Sequence, residues 1–425
     1  MSTHALAATE PSDPTDAPVE EQRRRPVWFW PAIFAGGIFG LALLRVITGA
    51  EDLTSSSLTG VAIALAAPIA LAGLGGLWSE RAGVVNIGLE GMMILGTWGA
   101  AFFGYHMGPW VGVLGGMALG ILGGIIHAVA TVNFGVDHIV SGVALNIIAA
   151  GTAAFLAKRF FTDLPGGGER TLNDVGTLPT ISIPGIDGPL RSLEGQRIFF
   201  VSDAAGIIRG LTVDVSAFIY VAVILFVASF YILWRTAFGL RLRSCGESPV
   251  AAESLGVNVI LYKFIAVTTS GALAGLGGAY LVLRVGSYTD GQTAGRGYIG
   301  LAAMIFGNWR PGGLLSGSLL FGYADAARLR GDSGPVTVHA LILLVAIILL
   351  LIAAWMLRKG RRLQGTLAAL AAMVIGMYYF MVDALPSQLL GATPYVTTLI
   401  VLAFAAQRLR MPAADGAIYR KGEGH

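Results

Sequence analysis

The chain has 425 residues, of which 55% are hydrophobic and only 12% charged. Soluble domains carry roughly 25% charged residues. Its formal charge is +3, and it holds one cysteine, Cys245. These figures exclude a soluble enzyme, a nucleic-acid binder and a disulfide-stapled secreted domain, and they predict an all-α polytopic membrane protein.

Residues 1–26 are polar, with four prolines, five acids and the run Arg23-Arg24-Arg25. They lack the apolar core of a signal peptide and read as a disordered cytoplasmic tail. Apolar runs of about 20 residues then follow, the length that crosses a bilayer core of roughly 30 Å. The spacing predicts helices near 27–48, 57–77, 86–104, 109–132, 138–157, 215–235, 260–284, 297–308, 311–328, 335–357, 364–382 and 392–408. That is about 12 in total. The eighth is short and suits a half-helix buried in protein.

Lysine and arginine give the orientation. With the N-terminus inside, cytoplasmic segments hold 17 of them and the outer side 11, six of these in the loop 158–214. The excess in short inner loops predicts both termini in the cytoplasm, with 409–425 as a second cytoplasmic tail. The outer loop contains Pro165-Gly166-Gly167-Gly168 and a Pro/Gly-rich run over 178–189. An ordered lid and an external docking surface are both open readings of it.

The fourth predicted helix carries Gly112, Gly116, Gly120 and Gly124 at a four-residue period. Such a stripe lets a second helix approach closely. Gly271, Gly275 and Gly278 do the same in the seventh.

Chemistry is sparse. The dipeptide Gly-Lys does not occur, so there is no P-loop, and neither HExxH nor GxSxG is present. No catalytic residue and no metal-ligand set is expected. The candidate intramembrane acids, Glu90, Asp137 and Asp325, lie near predicted helix ends, where charge is tolerated more cheaply than at the bilayer centre. An energy source outside this chain is the economical reading.

Two stretches carry information. The first, Gly76-Leu-Trp-Ser-Glu-Arg-Ala-Gly-Val-Val-Asn-Ile-Gly-Leu-Glu-Gly-Met-Met93, puts Ser79, Glu80 and Arg81 at a cytoplasmic turn. Asn86 and Glu90 follow at i,i+4, expected on one helical face. Mutual hydrogen bonding and a polar pathway surface are both open for them, as they are for Asn146 in the fifth helix. The second stretch spans Gly239 to Asn258 within the inner segment 236–259. Ser248 as cap, Pro249 in the first turn and Gly256 as terminator predict a short helix at the cytoplasmic face. Asn308-Trp-Arg-Pro311 is expected as an interfacial turn with Trp309 at headgroup level.

The segment Gly246-Glu-Ser-Pro-Val-Ala-Ala-Glu-Ser-Leu-Gly256 resembles the coupling loop of ABC importer permeases. The first stretch resembles the signature of their simple-sugar and nucleoside branch, within the branched-chain amino acid permease-like superfamily. Ser270–Gly278 and Gly297–Pro311 fit the same branch. The resemblance covers roughly 57–330 and resumes near Pro394. It leaves 335–382 as an inserted helix pair beside about 10 core helices in a permease domain over 27–408.

The resemblance implies a permease in the plasma or inner membrane, moving solute by alternating access. A cytoplasmic ABC ATPase would carry ATP and Mg, so this chain would need no cofactor. A second, homologous but non-identical permease and an external substrate-binding lipoprotein would complete the assembly, with membrane lipid around it and no nucleic acid. Glu247, Ala251, Ala252 and Gly256 would seat the coupling helix in the ATPase. Asn86, Glu90 and Asn146 are the pathway candidates. Nucleosides are the favoured solute, with simple sugars and branched-chain amino acids as alternatives. An ion-coupled secondary carrier is the competing class.

Overall fold

A computed structural model describes residues 29–330, 334–382 and 409–422. The tail 1–26 and the predicted helix 392–408 lie outside the described residues. The other eleven predicted helices are present: α1 (Phe29–Thr48), α2 (Ser56–Arg81), α3 (Leu89–Met107), α4 (Pro109–Ala128), α5 (His138–Phe161), α8 (Ala217–Arg235), α11 (Val259–Val285), α12 (Arg296–Phe306), α13 (Pro311–Arg328), α14 (Gly334–Arg358) and α15 (Arg362–Met381). Between them lie α6 (Asp187–Gly195), α7 (Val201–Thr212), α9 (Ala237–Glu247) and α10 (Pro249–Ser254). Among the described residues, seven helices are long and apolar enough to cross a membrane: α2, α4, α5, α8, α11, α14 and α15.

Helix α2 forms the axis of the bundle. It is buried almost throughout, and α3, α11, α12 and α13 pack around it. Its run of alanine and glycine gives no strong apolar stripe, as suits a helix surrounded by protein on all sides. Helix α4 lies across α3 and α11. A methyl group on Gly112 would come 2.8 Å from the Ala100 carbonyl of α3, and one on Gly116 would come 2.7 Å from that of Gly96. On Gly120 it would lie 2.6 Å from Gly275 Cα of α11, and on Gly124 3.1 Å from Gly271 Cα. Backbone therefore meets backbone along this seam, the arrangement that small residues permit where apolar burial alone gives little helix–helix attraction.

The loop 158–214 is an ordered cap. Strand β1 (Thr171–Leu172) pairs antiparallel with β4 (Tyr288–Thr289), and β2 (Thr180–Ile181) with β3 (Val215–Ser216). Helix α7 is fixed to the bundle by a buried cluster. Asp203 meets Arg45 of α1 at 2.8 Å and accepts from Thr54 Oγ1 at 2.5 Å. Helices α14 and α15 form a hairpin at the edge, with α14 beside α13 and α1, and α15 resting chiefly on α14.

The boundaries differ instructively at the first signature stretch. Helix α2 runs to Arg81, and α3 does not begin until Leu89. Asn86 therefore precedes the helix, and the expected i,i+4 face shared with Glu90 is not formed. Gly83, at φ +83°, turns the chain out of helical geometry.

The α4–α11 seam yields a prediction. Gly120→Val and Gly275→Val should each destabilise the detergent-purified chain by about 1–3 kcal/mol or more, because neither backbone can retreat. Gly151, with nothing near its missing methyl, should accept alanine with no loss. Thermal unfolding of the three variants checks this, and equal melting temperatures would refute the seam.

Candidate functional site

The last turn of α2 anchors a polar cluster at one end of the bundle. Ser79 Oγ donates to the Val84 carbonyl at 2.6 Å, holding the turn that follows. Glu80 is 3% exposed and accepts from the Trp309 indole at 2.5 Å. Arg81 donates through Nε and Nη2 to the Trp309 carbonyl at 3.0 and 2.6 Å. Its guanidinium also lies 5.6 Å from the Trp234 ring, which Arg243 approaches at 5.7 Å. Trp309 is thus buried inside the cluster. Asn308 and Trp309 both adopt left-handed backbone, which turns the indole and carbonyl inward onto α2.

The second stretch forms an elbow of α9 and α10. Gly246 sits where a methyl would strike the Arg81 carbonyl and approach Gly83 N at 2.9 Å. Glu247 reaches Arg81 at 3.8 Å. Pro249 opens α10 as expected, but the Ser248 side chain makes no capping bond. Gly256 closes the turn at φ +81°. Val250, Ala251, Ser254, Leu255 and Gly256 face outward, Leu255 at 85% exposure. Ala252 instead faces inward, packed with Cys245 and Val259. The sequence reading missed Val250 and Leu255. Their signal was an apolar pair five residues apart on a short polar helix. Burial pushes the Cys245 thiol up to about 11, so it is a poor thiolate.

Deeper in the bundle, two broken-backbone segments meet. Residues 82–88 precede α3, and 290–295 precede the 11-residue α12. Part of their backbone lies outside regular helical pairing, and inside a bundle each such group needs a partner. Glu90 accepts from two backbone amides, Gly295 N at 3.0 Å and Gly297 N at 2.7 Å, and from the Thr293 hydroxyl at 2.7 Å. Its carboxylate therefore caps the positive end of α12. Asn146 accepts from Gly91 N at 2.7 Å and donates to the Ile87 carbonyl and Tyr298 Oη, both at 2.9 Å. Asn86 donates to Ser270 Oγ at 2.8 Å. The three candidates lie in one polar region linking α3, α5, α11 and α12.

The remaining charged groups are engaged elsewhere. Asp325 pairs with Arg296 at 2.8 Å and also with Arg328. Asp137 caps α5 through Ile139 N and Val140 N. His127 bridges Ser141 Oγ and the Val85 carbonyl. Among the described residues, no three His, Cys, Asp or Glu side chains are grouped to hold a metal ion.

The α12 cap is testable. Hydrogen bonds to a charged acceptor are worth about 1.5–3 kcal/mol each. Glu90→Ala should lower the melting temperature more than Glu90→Gln, which keeps one acceptor oxygen. Equal stability of both variants and the parent would remove the cap from the account.

The chain is 33% identical to the nucleoside ABC transporter permease protein NupC of Lactococcus lactis, over 84% of this chain and 94% of that protein. It is 38% identical to the guanosine ABC transporter permease protein NupQ of Bacillus subtilis, over 64% of this chain and 81% of that one. To NupB of the same Lactococcus strain, also described as a nucleoside ABC transporter permease protein, it is 24% identical over 68% and 80%. No solved structure matches. The family description "Branched-chain amino acid transport system / permease component" matches residues 59–354. With most of its length matched and its long apolar helices packed as one bundle, this chain belongs to that family of multi-pass membrane permease components.

Proposed function

We propose that this chain is one of two non-identical permease subunits of an ATP-driven nucleoside importer. The substrate class rests on the nucleoside and guanosine permeases it resembles. The pairing rests on its unequal similarity to two permeases of one Lactococcus strain, 33% and 24%. Hydrolysis of ATP with Mg belongs to a separate ABC ATPase, since the sequence has no P-loop. Both termini lie in the cytoplasm, in keeping with the lysine and arginine excess there.

The observation that carries the coupling role is the α9–α10 elbow. It presents Val250, Ala251, Leu255 and Gly256 outward while Glu247 and Gly246 fasten it to the end of α2. An ATPase that grips this face moves the elbow as it closes on ATP. Ala252 acts from beneath, holding α10 on Cys245 and Val259. The movement passes through Arg81 to Trp309 and so to the end of α12. At the other end of α12, the Glu90 cap and the Asn146 and Asn86 bonds hold the polar region that borders the pathway. On the outer face, the ordered cap exposes Ile181, Ile183, Ile198 and Phe199 as a landing surface for a solute-delivering lipoprotein.

Replacement of Leu255 by aspartate should cut recovery of the ATPase with the affinity-tagged chain at least tenfold, with chain abundance unchanged. A desolvated apolar anchor at an interface centre carries about 2 kcal/mol or more. Solute class is read separately, by guanosine uptake in cells with and without the chain. Competition by ribose or leucine stronger than by other nucleosides would overturn the nucleoside assignment.

A further inference from the structure

The cytoplasmic segment Leu409–Gly422 is not a loose end. It runs across both signature stretches at once. Arg410 N donates to Asn308 Oδ1 at 2.6 Å, and Ala413 N to Glu247 Oε2 at 3.3 Å. Ala414 N donates to the Gly246 carbonyl at 2.8 Å. A methyl on Gly83 would come 3.1 Å from the Ala414 carbonyl. Gly416, turned at φ +78°, lies against Val85, and Ile418 lies against Gly135. Tyr419 joins the apolar cluster of Cys245, Ala252 and Val259, and Lys263 Nζ stands 6.0 Å from its ring. Its hydroxyl faces Glu253 of α10.

The segment thus touches three elements at once: the 79–85 turn, the 307–310 turn and the α9–α10 elbow. The direct link between elbow and turn, Arg81 to Glu247, is long at 3.8 Å and more than half exposed on the glutamate side. An exposed ion pair of that kind holds little. The segment adds backbone hydrogen bonds on both sides of the same joint and packs a partly buried aromatic ring against the cluster under α10. We propose that Leu409–Gly422 is a strap that carries motion of the coupling elbow to the ends of α2 and α12, with Asp415 and Tyr419 as its positioning residues. This rests on the importer reading given above.

Asp415 gives the strap a distinctive signature. Its carboxyl meets Glu80 of α2, with Arg81 nearby and Lys263 of α11 also facing it. Burial among these groups pushes the Asp415 carboxyl up to about 7 from its ordinary 3.8. The seated strap therefore binds a proton that the free strap releases. Seating is strongest at low pH and weakens as pH rises from about 4 through about 7.

The test uses the whole transporter complex with Cys245→Ser as the common background and a nitroxide on Ala417→Cys, an exposed strap position. The label should be immobilised at pH 5 and gain a mobile component as pH rises through 7. Asp415→Asn should flatten that profile. Tyr419→Ala should reduce nucleoside uptake at least tenfold while the ATPase still co-purifies, and Tyr419→Phe should restore it. A label equally mobile at every pH, or full uptake with Tyr419→Ala, would overturn the strap. Should the parent chain bring down no ATPase at all, the importer reading fails on its own, and the label still reports whether the segment is seated.

Discussion

The constraint on which the structure depends is that no backbone amide or carbonyl can be left unpaired at membrane depth. A helix meets this internally, and a broken helix does not. This chain breaks its helices at 82–88 and 290–295, in the interior of its own bundle. Glu90, Asn146 and Ser79 then make the bonds that helical continuation would have made. A single carboxylate on three donors is economical here, because its charge also matches the positive end of α12. The same reasoning explains why so few charges enter the bundle. Those that do are fastened, as Asp325 is between two arginines.

Much of the fold was legible because its signals are local. Helix lengths follow from apolar runs, and eleven of the twelve predicted helices fall within the described residues at nearly the predicted positions. The short eighth segment is indeed the half-length α12. The glycine period on α4 marked a contact without naming its partner, since a small-residue stripe says that something comes near and not what. The structure supplies α3 for one end of the stripe and α11 for the other.

The parts that were not legible depend on contacts across more than 100 residues. Periodicity placed Asn86 and Glu90 on one face, whereas Gly83 and a carbonyl bound by Lys263 hold the chain out of helix until Leu89. Trp309 looked interfacial from its neighbours, yet its partner Glu80 lies 229 positions away. The C-terminal tail had a bland polar composition, and only its backbone pairing with Gly246 and Glu247 reveals an attachment. Leu255 escaped notice because one leucine in a polar loop is ordinary until its exposure is known.

Two kinds of joint divide the molecule mechanically. Around α3, α4 and α11 the contacts are backbone against backbone, with no side chain to yield, so that block moves as one body. At the α2–elbow end the links are side-chain hydrogen bonds and ion pairs, and the two that Glu247 makes are longer than 3 Å and open to water. Such links exchange partners at little cost, because water replaces what is lost. Motion at the elbow is therefore taken up in the polar layer first. It reaches the bundle along α2 and α12, the two helices whose ends the Trp309 indole and carbonyl lock together. Displacement of α12 then bears on its other end, where the three bonds to Glu90 join it to the first turn of the rigid block. A stiff core with a half-length helix between two polar joints is the simplest arrangement by which a movement at the surface can alter a polar region deep in the bundle without disrupting the packing around it.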